Sequence, residues 1–106
     1  MKQLFVSYSR QDTEFTRRIT ERLQADGLEA WVDWQDIPPS VDWMKEIQKG
    51  IEDADIFLFL VSPDSIASPI CADEVAHAIK NGKRIIPLIV RDFDARSAPT
   101  TIRHLN

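Results

Sequence analysis

Residues 56–61 read Ile-Phe-Leu-Phe-Leu-Val, apolar without a break. A strand with one face in water alternates apolar and polar side chains, whereas an unbroken run fits a strand covered on both faces. That is the situation of a strand in a parallel sheet enclosed between helices, because each parallel connection has to cross the sheet and usually does so as a helix. The rest of the chain must then alternate short strands with amphipathic helices, and it does.

Leu4 to Tyr8 is a short run rich in strand formers, and it ends in the polar turn Ser7-Tyr8-Ser9-Arg10-Gln11-Asp12. Phe15, Ile19 and Leu23 then recur at helical spacing, with Asp12 as the expected cap and Gly27 as the stop. Leu28 to Asp33 reads as a second strand, with Ala30 and Val32 on one face and Trp31 on the other. It runs into Trp34-Gln35-Asp36-Ile37-Pro38-Pro39-Ser40, a loop whose adjacent prolines forbid helix and stiffen the backbone. The apolar Ile37 and the indole suit a binding surface, and Ile37 equally suits a plug turned back onto the core. Trp43, Ile47 and Ile51 define the next helix, started by Ser40 or Asp42.

After the third strand, at Asp55 to Val61, Ser62-Pro63-Asp64 makes a turn, Ser65 to Lys80 returns as helix, and Asn81-Gly82 stops it. Arg84 to Val90 is the fourth strand, whose Pro87 implies an edge position or a bulge. Residues 1–94 therefore read as the domain core, and residues 95–106 as a polar loop leading towards a further strand and helix that are expected beyond it.

A chain of 106 residues makes one domain. Its 13 basic and 17 acidic residues, a net charge of −4 with no basic stripe, argue against a nucleic-acid partner. The single cysteine, Cys71, rules out an internal disulfide, and neither His77 nor His104 has a second ligand at metal-binding spacing, so no metal is expected. No apolar run approaches the roughly 20 residues of a membrane span, and the opening Met-Lys-Gln is not a secretory leader; a cytoplasmic domain is expected. Only three glycines are present and none forms a phosphate-cradling loop, which argues against a retained dinucleotide cofactor.

These alternations give a flavodoxin-like, doubly wound parallel sheet in the order 2-1-3-4, with helices on both faces. A ligand is expected at the carboxyl ends of the first and third strands, where the order reverses. Those ends carry Tyr8-Ser9-Arg10 and Ser62-Pro63, and the proline-rich loop opens nearby. On a helix opened by Ser68 and Pro69, Cys71, Val75, Ala78 and Ile79 form an apolar face, Glu74 falls on its border and Asp73 points to solvent. A partly desolvated carboxylate beside a crevice is a candidate for chemistry, although an ordinary boundary glutamate has the same pattern. Topology gathers Arg10, Trp34 and Glu74 around that crevice. Cys71 faces the core and reads as a small buried hydrophobe, and His77, at i+3 from Glu74, as a partly exposed helical histidine.

The chain resembles a TIR (Toll/interleukin-1 receptor) domain of bacterial type. The matching residues are Phe5-Val6-Ser7-Tyr8-Ser9 with Asp12, Ala30-Trp31-Val32-Asp33, Asp36-Ile37-Pro38, Trp43-Met44-Lys45-Glu46-Ile47, Phe59-Leu60-Val61-Ser62-Pro63, Ser68 with Cys71-Ala72-Asp73-Glu74-Val75, and Ile86-Pro87-Leu88. The resemblance implies cleavage of NAD⁺ between nicotinamide and ribose, giving nicotinamide and ADP-ribose or a cyclised isomer. NAD⁺ would be substrate, with no resident cofactor. By the same resemblance Glu74, in the family's Cys-x-x-Glu motif, is the catalytic residue, Arg10 lies near the substrate, and Tyr8, Ser9 and Asp33 form pocket wall. Trp34 and Asp36 belong to the loop that closes over nicotinamide or meets a neighbouring domain, and Ile70 and Cys71 flank the substrate.

Ile70 departs from the pattern, since catalytic members usually carry Trp there and Ile cannot stack on a ring. Pro39-Ser40 stands where many members have glycine. Self-association through TIR–TIR contacts and a fused sensor or effector domain beyond residue 106 are further implications, in bacterial defence or signalling. In a non-catalytic assembly module of the same family, Trp34, Ile37, Pro38 and Pro39 would be the interface and Glu74 a bystander. A phosphoacceptor receiver of this fold would want paired acids after the first strand, where this chain has Ser7-Tyr8-Ser9. Nucleoside deoxyribosyltransfer is a more distant possibility.

Overall fold

In the computed structural model, which describes residues 3–32 and 41–90, four parallel strands form one sheet. They are β1 (Gln3–Ser7), β2 (Glu29–Trp31), β3 (Ile56–Val61) and β4 (Arg84–Ile89), in the spatial order β2-β1-β3-β4. This is the arrangement expected from the alternation of periods, with the order reversing between β1 and β3. The helices are α1 (Thr13–Ala25), α2 (Val41–Asp53), α3 (Pro63–Ile66) and α4 (Pro69–Lys80). Among the described residues, no helix is long and apolar enough to cross a membrane.

The unbroken run in β3 is explained by its two faces. Phe57, Phe59 and Val61 join Phe5 in a core with Ile47 and Ile51 of α2, Ile66 of α3, and Cys71, Val75 and Ala78 of α4. Leu58 and Leu60 join Val6 on the opposite face, where Phe15, Ile19 and Leu23 of α1 pack. Both parities of the strand are therefore buried, and neither can be polar without losing one of the two cores.

Register continues the first core across the strands. Phe5 lies opposite Trp31 on one side and Phe57 on the other. Their rings stack, with centroids 5.0 Å apart for Phe5–Trp31 and 5.4 Å for Phe5–Phe57. β4 lies at the end of the described sheet, beside β3, and its Pro87 pairs with Phe59.

α1 and α4 each stop at a left-handed glycine. Gly27 has φ 88°, and Leu28 N–H donates to Leu23 O while Gly27 N–H donates to Gln24 O. Gly82, at φ 65°, repeats the pattern with Lys83 donating to Ala78 O. These are Schellman ends, for which glycine carries no Cβ penalty.

Three local expectations change. The predicted Ser65–Lys80 helix is two helices, because Ser62 caps α3 and Ser68 opens a new helix at Pro69. Ile79 is 45% exposed rather than part of the α4 core face, because at about 100° per residue it falls at the edge of the arc formed by Cys71, Glu74, Val75 and the wholly buried Ala78 of the same turn. Asp12 makes no side-chain cap for α1; a 3₁₀ turn over Arg10–Asp12 precedes the helix, and Asp12 is buried. His77 is a partly exposed helical residue, as expected, and meets Glu52 of α2 at 2.7 Å.

Within α1, Thr16 and Thr20 are buried as well. Thr16 donates to Asp12 O at 2.8 Å, but the Thr20 hydroxyl has no hydrogen-bond partner among the described residues. A buried hydroxyl without a partner loses its hydration for nothing. Thr20→Val, which keeps the branched shape, is expected to stabilise the fold by about 1 kcal/mol in chemical denaturation.

Candidate active site at the β1–β3 switch point

Ser7 ends β1 and shares the face of Phe5, two residues earlier, which is the face packed against α2 and α4. A hydroxyl here points into the helix layer rather than into water. What it meets is α4. Ser68 caps that helix, its hydroxyl accepting from Cys71 N–H at 3.2 Å, and Pro69 occupies the first turn. Cys71, Glu74, Val75 and Ala78 then form the buried side of α4.

Two contacts pin α4 to the end of β1. The Ser7 hydroxyl donates to Glu74 Oε1 at 2.8 Å, and the Cys71 thiol approaches Tyr8 O at 3.5 Å. Glu74 is 8% exposed, deeper than the boundary position expected for it. Burial of a carboxylate is tolerated when hydrogen bonds replace its water, and Ser7 supplies one of them.

Burial also pushes the Cys71 thiol up to about 11 from 9.0, helped by the charge of Glu74 and opposed by hydrogen bonds to Ser68 and Ser7 and by the charge of Arg10. Cys71 is therefore a neutral thiol at physiological pH, not a nucleophile. It is expected to resist alkylation at pH 8 in the folded protein and to react at the normal rate in denaturant. Because the folded value lies above the unfolded one, this thiol makes its full contribution to stability below pH 9 and loses it as pH rises towards 11. An alkaline denaturation series, compared with Cys71→Ala, measures that loss.

The rim is built from the turn after β1. Arg10 is exposed, and its guanidinium donates to the Tyr8 hydroxyl at 2.6 Å while lying 5.4 Å from the Tyr8 ring centre. Ser9 caps the 3₁₀ turn, accepting from Gln11 N–H. Asp12 reaches across the switch point, where the Ser62 hydroxyl donates to its Oδ2 at 2.6 Å, while Ser62 and Ser65 form a reciprocal capping box on α3. The Asp12–Ser62 bond ties together the carboxyl ends of β1 and β3. Ile70, in the first turn of α4, is 39% exposed.

The structure thus brings Tyr8, Ser9, Arg10, Cys71 and Glu74 to the carboxyl ends of β1 and β3. Asp33, Trp34, Asp36, Ile37, Pro38 and Pro39 lie outside the described residues. Sequence reasoning missed Ser7 and the buried Asp12–Ser62 bond as parts of the site. The parity of β1 held the signal for Ser7, since a polar residue at the inward position of a covered strand needs an inward partner. A separate groove of about 500 Å³, lined by Leu4, Ala30, Trp31, Lys49, Gly50 and Asp53, lies where β1 and β2 begin, and none of the site residues lines it.

Chemically, the arrangement offers a buried acidic group on a rigid helix, hydroxyls beside it and a cation on the rim. A carboxylate so placed can hold sugar hydroxyls and stabilise positive charge developing at a ring carbon.

A family model described as the TIR domain matches residues 4–106. Among solved structures, the chain is similar to the TIR domain of a Toll-related receptor from Hydra magnipapillata, with a TM-score of 0.83 at 20% identity over 100% of this chain and 82% of that one. It is similar to the TIR domains of the activated Roq1 resistosome, with a TM-score of 0.73 at 18% identity over 92% of this chain and 61% of that one. A CMP N-glycosidase from Clostridium botulinum matches with a TM-score of 0.65 at 26% identity, over 83% of this chain and 69% of that one. No curated protein matches the chain.

Proposed function

The chain belongs to the TIR domain family, and on that premise we propose that it cleaves NAD⁺ at the bond between nicotinamide and ribose, with Glu74 as the catalytic group. The observation that carries the proposal is the buried Glu74 carboxylate, held by Ser7 at the switch point of the sheet. Family membership alone would not distinguish an enzyme from an assembly module. A charged side chain buried at the crevice, where an apolar one would pack more cheaply, has a reason to be there if it works on a ligand.

In the proposed reaction the C1′–N bond breaks and its electron pair leaves with nicotinamide, which departs as a neutral base. The ribose ring is left with oxocarbenium character, and Glu74 stabilises that charge and holds the ribose hydroxyls. Water then adds at C1′ and loses a proton, giving ADP-ribose; attack by the adenine instead gives a cyclic isomer. NAD⁺ is consumed, so no resident cofactor is required. The Clostridium botulinum protein named above is an N-glycosidase of a nucleotide, which supports this class of bond on this fold. Arg10 is proposed to hold the diphosphate side of the substrate from the rim, with Tyr8 and Ser9 as wall and Ile70 flanking the site. The proposal extends to activation by self-association and to a signalling or defence role in the cytoplasm.

The test is incubation of the protein with NAD⁺ at high protein concentration, with nicotinamide release followed and the product identified by mass. Nicotinamide with ADP-ribose or its cyclic isomer is the expected result. Intact NAD⁺, even with the protein artificially clustered, would replace this proposal by the assembly module.

A further inference from the structure

We propose that Ser7 is the positioning residue for Glu74, its hydroxyl fixing the carboxylate in the orientation that the reaction uses. The inference rests on the NAD⁺ reading of the site and assigns it a residue that the catalytic motif on α4 does not contain.

Three observations carry it. Ser7 donates to Glu74 Oε1 at 2.8 Å with both side chains buried, so water does not compete for either partner. A hydrogen bond to a charged acceptor away from water is among the stronger ones in a protein. Secondly, the donor sits on an immobile base. β1 is paired on both sides, with β2 and with β3, and Ser7 itself is in register with Phe59 at the centre of the core. A glutamate has three side-chain torsions, and anchoring one oxygen to a central strand removes most of their freedom. Thirdly, Ser7 occupies a position that packing alone would fill with an apolar residue. It is 1% exposed and follows Phe5 on the same face. A hydroxyl there is worthwhile because the carboxylate opposite needs it.

Misplacing a catalytic group by about 1 Å can cost roughly a hundredfold in rate. Ser7→Ala is therefore expected to lower kcat for NAD⁺ by about ten- to a hundredfold, with KM changed by less than about threefold and the unfolding midpoint near that of the unsubstituted protein. Ser7→Thr restores the hydroxyl and is expected to recover most of kcat. A purely structural serine would not give this pattern of a kcat loss rescued by a hydroxyl. Should Ser7→Thr prove too bulky to fold, Ser7→Cys, with its weaker donor, should fall between the Ala variant and the unsubstituted protein.

A second readout does not depend on turnover. The carboxylate ¹³C signal of Glu74, followed against pH in the whole chain, should titrate at higher pH in Ser7→Ala than in the unsubstituted protein, because a donor to the charged form has been removed. The other groups facing this region, the Cys71 thiol on the same helix and the Arg10 charge from the turn after β1, are common to both proteins, and His77 is engaged with Glu52. If nicotinamide is released by the unsubstituted protein and kcat is unchanged in Ser7→Ala, the positioning role is overturned. If no nicotinamide is released at all, the NAD⁺ reading has failed, and the titration alone decides: a raised midpoint supports the Ser7 link, and an unchanged one overturns it.

Discussion

Glu74→Gln is expected to lower the rate of NAD⁺ cleavage by about a hundred- to a thousandfold while leaving the fold intact. The substitution keeps the length of the side chain and an oxygen that Ser7 can still donate to. What it removes is the negative charge, which matters only where positive charge develops on the ribose. The loss should therefore fall on kcat, equivalent to about 3–4 kcal/mol of barrier. Stability provides the control. Neutralising a buried carboxylate removes a desolvation cost, so the variant should melt at or above the temperature of the unsubstituted protein. A variant that is inactive because it is unfolded is then separable from one that is folded and chemically incompetent. Full activity in a folded Glu74→Gln protein would remove Glu74 from the mechanism and return attention to Arg10 and the remaining rim.

Phe57→Ala should have the largest effect on stability, about 4 kcal/mol. Phe57 is wholly buried, the second residue of the strand that β1 and β4 flank, and its ring stacks on Phe5 at 5.4 Å. Truncation would remove the ring from a core walled by two helices, neither of which can collapse into the space without leaving the sheet. Against a total of about 5–15 kcal/mol for a domain of this kind, the variant should be partly unfolded in mild denaturant or at moderately raised temperature. Ile86→Ala, on β4 at 37% exposure, is the comparison and should cost less than about 1.5 kcal/mol. Similar losses at the two positions would mean that β3 is not the centre of the core.

Much of the architecture was legible because it is written in local periods. Residues 56–61 identified the strand covered on both sides, and the spacing of Phe15, Ile19 and Leu23 identified the helix that covers one of them. The parallel order followed from the alternation, since only crossover connections of that length and hand fit it. The site was legible in part. Glu74 was placed on α4, and Tyr8, Ser9 and Arg10 at the end of β1, from topology and resemblance. The depth of Glu74 was not, because the angular position of a residue on a helix says which side it faces but not how far the helix presses into the sheet.

Ser65 and Ile79 show the other limit. Both fit a continuous helical pattern, yet Ser65 belongs to α3, where a capping box with Ser62 closes a separate turn, and Ile79 lies at the exposed edge of the α4 face although its neighbour Ala78 is wholly buried. Period alone does not say how wide an arc of a helix its neighbours cover, nor where a capping hydroxyl divides one helix into two.

The sequence by itself determined the identity of each strand and long helix, their order and the glycine stops at Gly27 and Gly82. Those features depend on the repeat of apolar residues and on backbone angles within a few positions. Only the tertiary structure decided the partners of the polar groups. Ser7 meets Glu74 across 67 positions, Ser62 meets Asp12 across 50, and His77 meets Glu52 across 25. Each of these contacts depends on strand register and on how a helix seats against the sheet. Those are set by the shape of the whole core, and no local pattern records them.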